Sequence, residues 1–544
     1  MTVRAPAFAV TRTAGQRTAH LPIVLGLLLL LAPLLVATPS IARADDSRLN
    51  LAGPVVGPET LDPAQVRDLT NLVMFRQIFR GLMLYDDKLN PIPEIASRID
   101  IAEDGLTYSV SLRTDATFQD GTPITSDDVL FSLSRAVDPN TVEGDTSLLA
   151  GPAFLSNIAG YADVFAGKSD SLSGITVQSD SELTITLSKP DSTFLMKLAS
   201  VPASIVSKVQ VTADSTWWAK PIGSGPYAVD SWEPDSDLSL DAYPGFYGGA
   251  PQTSKVDFRL GAASLQSFNL YQAGSIDVDS ISLNDIDRVA DPNGEFIDQL
   301  VVTPQFAVGY IALNPHIEPL DDPWVRAALQ LIFPRQEFAD VAFDGWVHPA
   351  NGLIPDQMLG RAWKNHLPGT NVQAARAALA KSRYGSADKV PTIRIYSAGA
   401  FAATVLQSAA ESDLGLKVEV FDLQWQDLLP RLATGEVPAY ESYWASDYPD
   451  PSGILQALFG SGQPDNSIEY SNPDVDKLLD QAAREIDPDA RAPLYDRINK
   501  IICADNVAIP IYTDVDYSVI QPYVHNLLIT PMGILRLETV QLDR

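Results

Sequence analysis

The sequence predicts an α/β fold divided into at least two lobes. Three observations carry that expectation. The chain has 544 residues, more than one hydrophobic core accommodates. Short strand-like runs alternate with amphipathic helical stretches throughout, which is the pattern of an α/β protein. No repeat, low-complexity tract or Gly/Ser-rich linker separates the halves, so lobes joined by crossing strands fit better than independent beads.

The elements follow in order. Arg4, Arg12 and Arg17 precede an apolar stretch from Leu21 to Val36, and Ala42-Arg43-Ala44 closes it. A basic segment, an apolar segment and small residues in that order predict a signal peptide over 1–44, cleaved after Ala44. Pro22 and Pro33 and its short length set the stretch apart from a spanning helix. Cleavage removes four arginines and no acids, and no cysteine near the site could carry a lipid. Leu49 to Ala52, Leu106 to Leu112, Ile175 to Val177 and Leu183 to Leu187 read as strands. Asp127 to Arg135 and Pro323 to Leu331 read as helices, with acids or proline at the start. Val372 to Leu379 and Pro473 to Glu485 read as amphipathic helices. The single cysteine, Cys503, ends a helix-like run from Leu494 and is expected in the core.

Composition narrows the function. Hydrophobic residues make up 46% and charged residues 19%, a balance that buries a sizeable core. The formal net charge of −30 repels phosphate backbones, so no nucleic-acid partner is expected. One cysteine allows no internal disulfide and no cysteine-based metal site. Gly167-Lys168-Ser169 lacks the glycine that a phosphate loop needs five positions earlier, where Ala162 stands. Neither Ser224 nor Ser461 sits in a nucleophile elbow. His316, His348, His366 and His525 form no ligand pair, and Leu240 occupies the turn position that a calcium loop over Asp235 to Asp241 would give to glycine. No enzyme chemistry, metal or cofactor is expected.

One segment stands apart: Tyr443-Trp444-Ala445-Ser446-Asp447-Tyr448-Pro449-Asp450-Pro451. Aromatics supply apolar contact area, and a carboxylate holds an ammonium group by charge-assisted hydrogen bonds. That combination suits a ligand cleft. It equally suits an ordinary loop whose aromatics fasten it to the core.

Several spaced motifs stand out along the chain. They begin with Leu61-Asp62-Pro63 and Gln77-Ile78-Phe79-Arg80-Gly81-Leu82. Glu103 to Arg113 and Phe118 to Val129 form the most specific block. Gly223-Ser224-Gly225-Pro226-Tyr227, Ala273 to Asp277, Asp321 to Ala328 and Trp444 to Pro451 follow. In these motifs and their order the chain resembles the family 5 extracellular solute-binding proteins. The resemblance implies a periplasmic-binding-protein fold: two α/β lobes, a two-strand hinge, and a subdomain of lobe I near Leu84 to Ser207. Lobe I would run from Asp45 to Thr303 and return over Tyr512 to Arg544, and lobe II would span Pro304 to Ile511.

The implied function is capture of a small ligand, most simply a peptide, for the permease subunits of an ABC importer. The implied protein is a monomer outside the inner membrane. Alternatives within the fold are an oligosaccharide, an opine-like molecule, a metal chelate, or reuse as a chaperone or sensor. Asp447 matches the aspartate that holds a peptide's α-ammonium, and Trp444 matches a cleft aromatic. Tyr443, Tyr448 and Tyr512 are further ligand-binding candidates. Gly105, Gly121, Gly223 and Gly225 are expected in turns, and Asp120 and Asp127 in caps and loop hydrogen bonds. One departure is plain: Glu441 stands where an oligopeptide binder can carry an arginine, and Ser397 to Ala403 has no charge. An ammonium end is served and a carboxylate end is not.

Overall fold

A computed structural model describes residues 47–544 apart from 67–69, Glu143 and Ala400. The expected signal segment lies outside the described residues. No helix among them is long and apolar enough to cross a membrane.

One mixed sheet organises the chain. Its principal strands are β1 (Arg48–Ala52), β2 (Tyr227–Glu233), β3 (Asp237–Ala242), β4 (Lys255–Arg259), β5 (Val278–Ser280), β6 (Leu300–Leu313), β7 (Ile393–Ser397), β8 (Val418–Asp422), β9 (Ala439–Ala445) and β10 (Ala508–Ile520). They lie in the order β8-β7-β9-β6-β10-β5-β1-β4-β3-β2, and the short strand His348–Pro349 pairs β10 off this path.

The two long central strands carry the architecture. β6 and β10 run antiparallel in two stretches: Leu300–Pro304 with Val515–Val519, and Val308–Ala312 with Ala508–Thr513. The ladder breaks between Pro304 and Val308, where the pyrrolidine nitrogen has no hydrogen to donate. β9 pairs β6 only over Ala307 to Leu313, and β5 pairs β10 only over Ser518 to Ile520. One half of the sheet thus hangs on each end of the central pair. This is the two-lobed α/β arrangement with two crossing strands. Ala307 to Leu313 is buried throughout, as its unbroken small and apolar sequence requires of a strand covered on both faces.

Each half has its own core. Leu49, Leu51, Tyr227, Leu240 and Phe258 form one, and Ile311, Leu329, Ile395 and Leu406 the other. A separate antiparallel sheet orders Ala96–Ile101, Thr107–Leu112, Glu182–Thr186 and Ile175–Ser179. The strands expected from sequence are found within a residue or two, as are the helices Ser126–Arg135, Pro323–Ile332, Val372–Lys381 and Pro473–Arg484. Cys503 is buried in the helix Pro488–Asp505.

Two local expectations change. Asp127 does not cap its helix. Thr125 and Asp128 form a reciprocal capping box there, because only the residue three beyond the cap reaches back to the free amide. Gly223 and Gly225 serve close backbone approach rather than a left-handed turn. A Cβ on Gly223 would stand 1.9 Å from the Ile78 carbonyl oxygen, and one on Gly225 2.4 Å from that of Gln77. Gly105 and Gly121 do sit at positive φ, 66° and 84°. Asp120 accepts from the Thr122 amide at 2.9 Å, as a loop carboxylate should.

Candidate ligand-binding site

β9 leads directly into the segment that the sequence singled out. A cavity of about 380 Å³ opens beside it, lined in part by Phe338, Phe343, Phe401, Trp425, Tyr443 and Tyr512. Phe401 and Trp425 are each 50% exposed and Tyr443 is 45% exposed. Large aromatics left half in water on a folded surface mark a place where something docks.

Gly309 explains how two of these tyrosines meet. It sits on β6 opposite Tyr443 of β9 on one side and Tyr512 of β10 on the other. Residues directly across a ladder share a face. The Tyr512 ring lies over Gly309, where a Cβ would come within 2.3 Å of it. Over that gap the Tyr443 hydroxyl donates to Oδ2 of Asp514 at 2.9 Å. Burial raises the Asp514 carboxyl above its usual range, and the Tyr443 hydrogen bond only partly offsets it.

Glu441 also lines this cavity. Its two carboxylate oxygens accept from the amides of Ala402 and Ala403, each at 2.9 Å, and Oε2 accepts from the Ser397 hydroxyl at 3.1 Å. Those amides begin the helix Phe401–Ala409. A carboxylate there meets the unpaired donors and the positive end of the helix dipole. Glu441 is therefore a strand residue that caps a neighbouring helix, which accounts for an acid at this position.

The turn that carries Asp447 is built from buried polar contacts. Trp444 Nε1 donates to the Gly453 carbonyl at 2.9 Å, and Ser446 Oγ to the Tyr448 carbonyl at 2.7 Å. Asp450, fully buried, receives Arg491 Nη2 at 2.7 Å and Nε at 3.1 Å. Lys197, paired with Asp191 at 2.6 Å, lies 5.4 Å from the centre of the Tyr448 ring. Asp447 itself is half-buried, flanked by these fixed neighbours.

The five sequence candidates therefore separate. Tyr443 and Tyr512 share the aromatic cavity. Trp444 packs against the core with its indole nitrogen engaged, and Tyr448 is buried beneath Lys197. Asp447 stands on the turn beside them. Phe338, Phe343, Phe401 and Trp425 were not singled out by sequence. They come from three separate segments, and only Phe401 lies within a stretch that the sequence marked, Ser397 to Ala403.

Residues 90–466 match the model of the bacterial extracellular solute-binding proteins, family 5 middle. The chain belongs to this family. As a family 5 binding protein it is 26% identical over 480 residues to the periplasmic oligopeptide-binding protein OppA of Escherichia coli K12, covering 86% of this chain and 87% of that one. It is 28% identical over 486 residues to the probable deoxycholate-binding periplasmic protein YgiS of the same strain, covering 86% and 88%. Its fold matches the unliganded open form of the periplasmic murein tripeptide binding protein MppA with a TM-score of 0.76 and 25% identity, over 92% of this chain and 98% of that one. The family is one of binding proteins located outside the cytoplasm.

Proposed function

We propose that this family 5 protein captures peptides between its lobes and delivers them to the permease of an ABC importer. The observation that carries the reading is the cavity of half-exposed aromatics beside β9, the strand that leads into the turn bearing the half-buried Asp447. Asp447 receives the peptide α-ammonium, while Trp444 and Tyr448 hold the turn and Tyr443 and Tyr512 meet side chains. The named relatives that bind oligopeptides and a murein tripeptide support this assignment. The protein binds and releases its ligand unchanged, acts as a monomer, and needs no metal or cofactor.

Lobe I comprises Asp45 to Thr303 and Tyr512 to Arg544, with a subdomain near Leu84 to Ser207, and lobe II comprises Pro304 to Ile511. The break in pairing between Pro304 and Val308 supports that division. Cleavage after Ala44 releases the mature chain, without a lipid anchor, into the periplasm or its equivalent, and N-terminal sequencing should find Asp45 first.

Native mass spectrometry of protein taken from the exporting cell tests the ligand. A spread of co-purified peptide masses is expected. A single non-peptide mass would refute the peptide assignment, and a steroid-like mass would favour the second reading that the aromatic cavity and the deoxycholate-binding relative suggest.

A further inference from the structure

A second cavity of about 380 Å³ lies beside β10 on the other side of the break in the central pair. Its walls are mostly apolar: Leu51, Val55, Val73, Val278 and Leu535 among them. Two carboxylates, Asp279 and Asp516, line it, and none of its described lining residues is a lysine, arginine or histidine. Asp516 is occupied, since Ser280 Oγ donates to Oδ1 at 2.6 Å and Ser518 Oγ to Oδ2 at 2.5 Å. Asp279 is different. It is 3% exposed, and its Oδ2 has no hydrogen-bond partner.

An unsatisfied carboxylate oxygen at the wall of an apolar cavity is costly unless a partner arrives. A neutral donor would satisfy the geometry but leave the charge. A cation on a long aliphatic stem satisfies both, because the stem lies along the apolar wall while the head reaches the oxygen. We propose that this cavity is a receptacle for a lysine-type side chain of the bound ligand, with Asp279 as its counter-ion and Asp516 as a second negative charge nearby. The proposal rests on the peptide reading above. Tyr512 in the first cavity and Asp516 in the second stand four positions apart on β10, about 13 Å along an extended strand. A peptide of a few residues spans that distance, so one ligand occupies both cavities.

Calorimetric titration with three acetyl-free tetrapeptide sets distinguishes the possibilities: tetra-alanine carrying one lysine, one norleucine or one glutamate at each position in turn. At one position lysine should bind at least tenfold more tightly than norleucine, and glutamate weakest of all. Norleucine keeps most of the stem and lacks the cation, so the ratio reads the charge. In Asp279→Asn, which keeps the shape, that ratio should collapse toward one, and in Asp516→Asn it should shrink less. Thermal melts confirm that both variants are folded. Equal binding of lysine and norleucine peptides at every position, or an unchanged ratio in Asp279→Asn, overturns the lysine receptacle and leaves peptide capture standing. Failure of every peptide to bind overturns peptide capture and the receptacle with it.

Discussion

Tyr443 hydrogen-bonds Asp514 across a strand that lies between them. Tyr443 belongs to β9 and Asp514 to β10, while β6 runs in the middle, and the contact forms because Gly309 of β6 has no side chain to block it. The bond ties the floor of the aromatic cavity to the strand that passes into the other half of the sheet. Gly309→Ala should displace the Tyr512 ring, since a Cβ would stand 2.3 Å from it. Overpacking of this kind costs about 1–3 kcal/mol, and a urea melt should show the loss together with weakened ligand binding.

Asp447 offers the sharpest test of the site. If it holds an ammonium group in a closed cleft, Asp447→Ala leaves that cation unpaired, at a cost of about 3–5 kcal/mol. Affinity then falls by roughly two to three and a half orders of magnitude. Asp447→Asn should recover little of it. Acetylating the peptide N-terminus should give a similar loss, and the two losses should not add, because both remove one contact. Titration calorimetry of both proteins with free and acetylated peptides reads all four corners of the cycle.

Glu441 should prove structural. Glu441→Ala removes the acceptors for Ala402 and Ala403, and loss of a helix cap costs about 0.5–2 kcal/mol. The denaturation midpoint should drop accordingly, and hydrogen exchange should speed up in the first turn of the helix Phe401–Ala409. Glu441→Gln keeps one acceptor oxygen and should lose less.

Arg491 and Asp450 form a pair with almost no exposure, 1% and 0% for their side chains. Removing one partner leaves a buried charge, so Arg491→Met should cost about 3–5 kcal/mol. The double variant Arg491→Met with Asp450→Asn should recover a large part of that. Urea denaturation checks the stability, and ligand titration should show affinity falling with it, because the pair holds the turn that bears Asp447.

Asp279 gives a pH dependence with a defined sign. Burial, with the Asp285 and Asp516 charges adding to it, pushes its carboxyl up to about 6, and the Ser267 hydroxyl opposes this. The folded protein therefore holds a proton that the unfolded chain releases near the ordinary carboxylate range. Stability from this residue is full below about pH 4 and is lost as pH rises through about 6. Asp279→Asn, always neutral, removes that loss and should melt higher than wild type at pH 7.5, by about 2–3 kcal/mol in stability. The two proteins should melt alike at pH 3.5. A residue that costs stability at neutral pH and binds a cation is a trade of the kind binding sites make.

Much of this fold was legible from local patterns. Helices such as Pro323–Ile332 announce themselves by a cap, a proline and an apolar stripe within ten residues. The strand over Thr107–Leu112 does so by alternation. The Asp447 turn was visible because its aromatics and acids are contiguous. The aromatic cavity was not, because Phe338, Phe343 and Trp425 are each unremarkable where they stand and meet Tyr443 and Tyr512 only through the order of the strands. Asp279 was invisible for the same reason: one aspartate among many in an acidic chain becomes distinctive only when its surroundings are dry. Asp127 was misassigned to a cap because its neighbour Asp128, one residue on, has the right angular position on the helix.

The place of β10 in the sheet governs when the fold can be completed. β10 is made from residues 508–520 of 544, yet it lies between β6 and β5 and supplies the ladder that each needs. The two halves of the sheet cannot be joined until nearly all of the chain is present. Contacts of such long sequence separation form slowly. A chain cut short before residue 508 therefore lacks the strand that joins β6 to β5 and cannot assemble the native sheet. The central seam stays open until this late segment takes its place between the two halves.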